Sequence, residues 1–345
     1  MSAEGGTKAV VAALAANLFI ALCKFAAWAL TGASSLLAEA IHSDADSGNQ
    51  ALLLIGGSRA KRGATPEHPF GYGRERYVFG FIVAVVLFSV GGLFALYEAY
   101  HKYHEVRAGH RDELLESHWW WVPIAVLVGA IIAESLSFRT AIEQSNRSRG
   151  RQSWSKFVRS AKAPELPVIL LEDLAALLGL GFALIGVGLT LLTRNGYFDV
   201  AGTAMIGLLL VTVAAILAVE MKSLLIGESA SPGVVQRIEE AITRTAGVEC
   251  LIHMKTLHLG PEELLVAAKI GVAATDRAEN VAAVIDRAEA AIRAAEPMVS
   301  ALYLEPDIYR VGYQPQEHPQ QPVAPSSTKN VGEPQASSRR RIRHD

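Results

Sequence analysis

Between Tyr77 and Glu98 the chain places no charged residue, and it does the same between Val200 and Val219. A hydrocarbon core about 30 Å thick is crossed by roughly 20 predominantly apolar residues in helix. Two such stretches therefore restrict the chain to a membrane α-helical architecture. Four more segments have similar length and character, giving six expected spans at 7–31, 33–58, 77–101, 118–142, 165–192 and 198–224. The first apolar run extends from about Lys8 to Leu30. That exceeds the roughly 7–15 residues of a signal-peptide core, so it reads as a span. Trp119, Trp120 and Trp121 open the fourth span, where an aromatic belt at the membrane boundary is expected.

Basic residues orient the spans. The 59–76 loop carries Arg59, Lys61, Arg62, Arg74 and Arg76, and the 143–164 loop carries Arg147, Arg149, Arg151, Lys156, Arg159 and Lys162. The 102–117 loop leans acidic, with Glu105, Asp112, Glu113 and Glu116. By the positive-inside rule the two basic loops are cytoplasmic, and six spans then put both termini there too. A cell's inner (plasma) membrane is the expected location. Orientation accounts for the basic loops, and a net charge of −2 over 345 residues gives no basic domain for nucleic acid. The lipid bilayer is the expected surrounding partner.

The hydrophobic excess is concentrated in 7–225, and the chain beyond it reads as a soluble unit. After Ser231-Pro232-Gly233, Val234, Val235, Ile238, Ala241 and Ile242 recur with helical spacing. Residues 251–259 and 264–272 read as strands around a Gly260-Pro261 turn, 277–295 as a helix, and 299–305 as a third strand. The order α-β-β-α-β is that of a small two-layer α+β unit. The expected division is 1–228 transmembrane, 229–311 soluble and 312–345 a disordered tail rich in Pro, Gln and Ser. Cys23 and Cys250 lie far apart and form no disulfide framework.

Ionisable side chains at bilayer depth cost a few kcal/mol on insertion scales, and they persist where they face a cavity, a partner or an ion. The second span carries Glu39, His42, Asp44 and Asp46, and the fifth carries Glu172 and Asp173. At about 100° per residue, Glu39, His42, Asp46 and Asn49 share one stripe, while Asp44 points roughly the opposite way. Glu172 and Asp173 are adjacent, so at most one of them points straight at that stripe. Imidazole and carboxylates converging from two helices suit zinc, which takes nitrogen and oxygen ligands. Histidine titrates near neutral pH, so protons compete for the same groups, and binding the metal requires losing them. The candidate metal ligands are His42, Asp46, Asp173, Glu172 and Asn49, acting on a transported divalent ion; no permanent cofactor is expected. Lys24 is expected to pair with an acid on a neighbouring helix, and Glu134 and Asn17 to serve as interhelical bonding groups. The chain has no HExxH, no GxSxG and no nucleophile beside a base, so no enzymatic activity is expected.

These residues carry a family likeness. Ser35-Leu-Leu-Ala-Glu-Ala-Ile-His-Ser-Asp-Ala-Asp-Ser-Gly-Asn-Gln50 resembles the second-helix signature of the cation diffusion facilitator family, zinc-transporter type. His68-Pro-Phe-Gly-Tyr-Gly-Arg-Glu-Arg76 resembles a second signature of that family. The resemblance implies a homodimeric metal/proton antiporter, usually exporting zinc, with a ferredoxin-like C-terminal domain. It implies an (H/D)xxxD pair on the second helix, matched by His42 and Asp46, and an HxxxD pair on the fifth, whose aspartate Asp173 matches. Ile169 stands where the fifth-helix histidine would be. Glu172-Asp173 resembles the Leu-Glu-Asp variant of a divergent branch related to mitochondrial zinc transporters. Glu172, Asn49 or water then supplies the fourth ligand, and an oxygen-richer site also accommodates manganese, iron or cobalt. His68 corresponds to part of an auxiliary metal site in some relatives, with Tyr72 at the partner's position. His253 and His258, at odd spacing in a strand, are read as packing or surface residues.

Overall fold

The computed structural model describes residues 3–109 and 113–310, with side chains from residue 17 on except at 113 and 148. The expected tail at 312–345 lies outside the described residues. The helices in chain order are α1 (Ala3–Thr31), α2 (Ser34–Ala60), α3 (Glu75–Val86), a π-helical turn at Leu87–Leu93 and α4 (Phe94–Arg107). They continue with α5 (Glu113–Glu116), α6 (Val122–Arg149), α7 (Trp154–Ser160), α8 (Glu165–Thr193) and α9 (Tyr197–Ile226). Among the described residues four helical units are long and apolar enough to cross a membrane: Glu75–Arg107 as one unit, Val122–Arg147, Glu165–Thr193 and Tyr197–Ile226. In α1 the described apolar stretch is the shorter Asn17–Thr31. α2 has the length at 27 residues, but Glu39, His42, Asp44 and Asp46 break its apolar character.

Two sequence expectations shift in detail. The three tryptophans lie in the turn preceding α6, each about half exposed, because Pro123 at the second helical position sets the helix start after them. The expected 143–164 loop is largely helical. α6 runs on to Arg149, with an Arg139–Glu143 pair at 3.0 Å one turn apart, and α7 occupies Trp154–Ser160.

Turn chemistry and small residues set the packing. α1 ends on Gly32 at φ 64°, the left-handed position that glycine adopts without strain, and α2 starts two residues later. α2 has no side-chain cap of its own. Asp199, opening α9, supplies one: its carboxylate accepts from Ser34 N at 2.8 Å and from Ser35 Oγ at 2.5 Å. The π turn brings Gly92 so close to α9 that a Cβ there would lie 2.7 Å from Val211 Cγ2. Leu36, Leu87, Leu127, Val168, Leu180, Ile206 and Leu210 fill the common core.

The C-terminal domain has the expected order: α10 (Pro232–Thr243), β1 (Cys250–Gly260), β2 (Glu263–Gly271), α11 (Ala278–Ala295) and β3 (Val299–Asp307). The sheet order is β1-β2-β3, with β1 antiparallel and β3 parallel to β2, so α11 is the crossover. Leu264, Val266, Ala268 and Ile270 alternate inward along β2 and meet Ile238 and Ile242 of α10 and Val284 and Ile292 of α11. The two layers thus share one core. The domain touches the helical bundle at a glycine contact. A Cβ on Gly73, in the loop between α2 and α3, would lie 2.9 Å from Leu259 O and 3.1 Å from Gly260 Cα at the β1–β2 hairpin.

Candidate metal centre

α2 and α8 run antiparallel through the bundle, since Asn49 meets Glu172 while Glu39 meets Gly179. Between those two crossings lie His42 and Asp46. The His42 ring is fully buried, and its Nδ1 stands 3.4 Å from Asp46 Oδ1, longer than a good hydrogen bond. Neither ring nitrogen, nor Asp46 Oδ1, has a hydrogen-bond partner among the described residues. Asn49 Nδ2 donates to Glu172 Oε1 at 2.8 Å, and Asn49 Oδ1 is left without a partner among the same residues. A buried polar atom without a partner costs about 1–3 kcal/mol. Several on one helical stripe call for a charged or polar species that completes them.

The adjacent acids of α8 diverge, as their spacing requires. Glu172 is buried and faces α2; the Asp173 carboxylate accepts from Ser137 Oγ of α6 at 3.0 Å. Asp44 lies on the exposed side of α2, away from the stripe. Among the described residues no three His, Cys, Asp or Glu side chains converge closely enough to enclose an ion in this conformation. The arrangement is two pairs, His42–Asp46 and Asn49–Glu172, with Asp173 held on the α6 side. Beyond the Asn49–Glu172 contact a cavity of about 700 Å³ lies between the ends of α2 and α8 and the β1–β2 hairpin, lined by Leu53, Gly57, Arg76, Glu165 and Glu263.

The expected partner of Lys24 is Glu39. Lys24 Nζ lies 3.1 Å from Glu39 Oε2 and 2.7 Å from Ser43 Oγ, with both charged side chains fully buried. The role of Asp199 was not legible in the sequence, where its only signal was an acid at the first turn of a span. His68 sits in an exposed loop with its ring 4.6 Å from that of Tyr72. His258 is a packing residue, buried with Nδ1 3.2 Å from Gly260 O, and burial holds its pKa below the ordinary 6.5 although that carbonyl pulls it upward.

A bundle of apolar helices with a buried row of histidine and acid side chains, joined to a small α+β domain, defines an integral membrane protein. The family model for the cation efflux transmembrane domain matches residues 10–226, and the chain belongs to that family. The proton-coupled zinc antiporter SLC30A9, mitochondrial, of Xenopus laevis is 33% identical over 273 residues, covering 78% of this chain and 47% of that protein. The Homo sapiens protein of the same name is 33% identical over 259 residues, covering 74% and 44%. Metal tolerance protein C4 of Arabidopsis thaliana is 26% identical over 265 residues, covering 76% and 56%. The chain thus spans about half the length of the curated relatives it matches. A solved structure, MamM-CTD 215-293, matches 22% of this chain and 96% of its own at 23% identity, with a TM-score of 0.22.

Proposed function

We propose that the chain is a secondary transporter that carries a divalent metal ion, zinc before manganese, iron or cobalt, across the membrane in exchange for protons. The observation that carries this reading is the His42–Asp46 pair beside Glu172 at the α2–α8 contact, whose ring nitrogens and Asp46 Oδ1 are buried with no hydrogen-bond partner among the described residues. In the loaded state His42, Asp46 and Glu172 hold the ion. Asn49 gives up Glu172 to it, and Asp173 turns from Ser137 to complete or support the set. Because the ion must displace protons from these groups, loading and proton release are linked. The zinc antiporters among the relatives support zinc as the first candidate cargo. The ligand set, one imidazole with carboxylates and no thiolate, supports an ion that is bound and then released.

The same reading includes six spans, with α1 and α2 as the first two. Both termini lie in the cytoplasm, the location is a cell's inner membrane, the C-terminal domain is ferredoxin-like, and the chain works as a homodimer. It casts the chain as a carrier and not an enzyme, with cytoplasmic metal leaving. The cavity beside Glu165 and Glu263 is then the cytoplasmic approach to the site. The test is purified protein in liposomes, given zinc, manganese, iron and cobalt in turn with a pH gradient imposed and then removed. Gradient-dependent zinc movement supports the reading. Failure to move any of the four sinks it, and unchanged cellular metal export in Asp46→Ala with an altered gene response would favour a membrane sensor.

A further inference from the structure

One turn from His42 toward the Ser34 end of α2 lies a charged pair outside the proposed ligand set. Lys24 of α1 reaches Glu39 Oε2 and Ser43 Oγ, and neither Lys24 nor Glu39 is exposed. The second carboxylate oxygen, Glu39 Oε1, is buried with no partner among the described residues. It is turned toward α8 at Gly179, where a Cβ would lie 2.3 Å from it, so only glycine leaves this oxygen its place. Glu39 is three residues from His42, about 4.5 Å of helical rise on the same face. The unpartnered atoms therefore form a row along α2: Glu39 Oε1, the two His42 nitrogens, Asp46 Oδ1 and Asn49 Oδ1.

We propose that Glu39 is the next contact for the divalent cation beyond the His42–Asp46 pair, and that Lys24 is a tethered cation that keeps the ion from resting there. The inference rests on the reading that the α2 stripe carries the ion. A pair that served packing alone would gain nothing from a partnerless oxygen facing a glycine notch, and apolar residues of similar volume commonly replace buried ion pairs without loss. An ion arriving at Oε1 meets an ammonium bound to the same carboxylate, and at low effective dielectric that repulsion is strong. The ion touches Glu39 and moves on. Lys24 and Glu39 so set both the capacity of the row and the ease of release.

The test is zinc binding to the full chain in detergent micelles by equilibrium dialysis, with release into a chelator monitored in time. The wild type is expected to hold one zinc per protomer. Lys24→Met is expected to hold a second and to release zinc roughly tenfold more slowly or worse, because a unit charge a few ångströms away has been removed. The double variant Lys24→Met with Glu39→Gln returns to one. Wild-type capacity and release in Lys24→Met overturn the inference, as does a second zinc that persists in the double variant. Glu39→Gln provides a check that does not depend on how Lys24→Met folds. It should bind one zinc yet transport slowly, since an unpaired Lys24 then stands in the path, and wild-type transport in it also overturns the inference. A wild type that binds no zinc removes the underlying reading as well, whereas wild-type binding with an indifferent Lys24→Met removes this inference alone.

Discussion

The C-terminal domain and the helical bundle distribute their polar side chains differently. In the domain, Lys269 bridges Glu305 at 3.0 Å and Asp307 at 3.1 Å, Arg237 pairs with Glu296, and His258 meets a backbone carbonyl. Of the nine buried side-chain polar atoms without partners among the described residues, five belong to α2, on Glu39, His42, Asp46 and Asn49, and one, His253 Nδ1, belongs to the domain. The domain leaves one such atom, on the β1 residue His253. The bundle gathers five of its unsatisfied atoms along one line of α2, with Tyr77 Oη, Ser145 Oγ and Glu165 Oε2 elsewhere, and that line is where the physical cost points to a mobile charged ligand. Real proteins break local rules at functional sites and offset the cost elsewhere.

The sharpest way to break this comparison is Asp46→Ala. Its Oδ1 has no partner to lose among the described residues, so metal transport is expected to vanish while thermal unfolding of the full chain changes little. A large stability loss with transport retained would make Asp46 a structural residue. Asn49→Ala should come next, lowering metal affinity by roughly 10–100-fold, as loss of a group supporting a ligand commonly does. Zinc titration of the purified chain reads it. Asp173→Ala should also cut transport, by less than Asp46→Ala, because in this conformation its carboxylate is engaged with Ser137. Equal loss in both variants would place Asp173 directly in the ligand set.

Gly73→Val probes the join between the two regions. Its side chain has nowhere to go beside Leu259 O and Gly260, so the contact should open at a cost of about 1–3 kcal/mol. Faster hydrogen exchange at the β1–β2 hairpin checks it. The pH response is smaller. Burial lowers the pKa of His258, so its contribution to stability is present above the ordinary 6.5 and is lost as pH falls below that value. Burial alone would raise Glu228, but bonds from Lys162 and Ser223 outweigh it and leave its pKa below the ordinary 4.5. The Glu228 contribution is therefore lost only at more acidic pH. Between pH 7.5 and 5.5 His258 should dominate the weakening of the domain, as measured by proteolysis on heating, and His258→Gln should flatten the trend. Asp44→Leu should do least, since that side chain is exposed on α2 away from the row.

Much of this was legible in the sequence because it arose from periodicity. The alternation Leu264, Val266, Ala268, Ile270 marked the inner face of β2, and the 3-4-3 spacing of Glu39, His42, Asp46 and Asn49 marked the polar stripe. The divergence of Glu172 from Asp173 came from their adjacency. What sequence could not supply was which distant side chain closes each local gap. Asp199 caps a helix that begins 165 residues earlier, Gly179 makes room for Glu39, and Gly73 meets Gly260 across the two regions. Each depends on tertiary approach and leaves no local pattern. The helical continuation through Arg149 and the late start of α6 after its tryptophans were likewise set by capping and pairing details finer than a hydrophobic window.

The central claim is that His42 and carboxylates from α2 and α8 hold the cargo. X-ray absorption at the zinc edge, on the full chain loaded to one ion per protomer, tests it most directly. The expected result is a single imidazole with oxygen ligands at about 2.0–2.2 Å, and loss of the imidazole signal in His42→Asn. A sulfur shell at about 2.3 Å, or two or more imidazoles unaffected by His42→Asn, would contradict it.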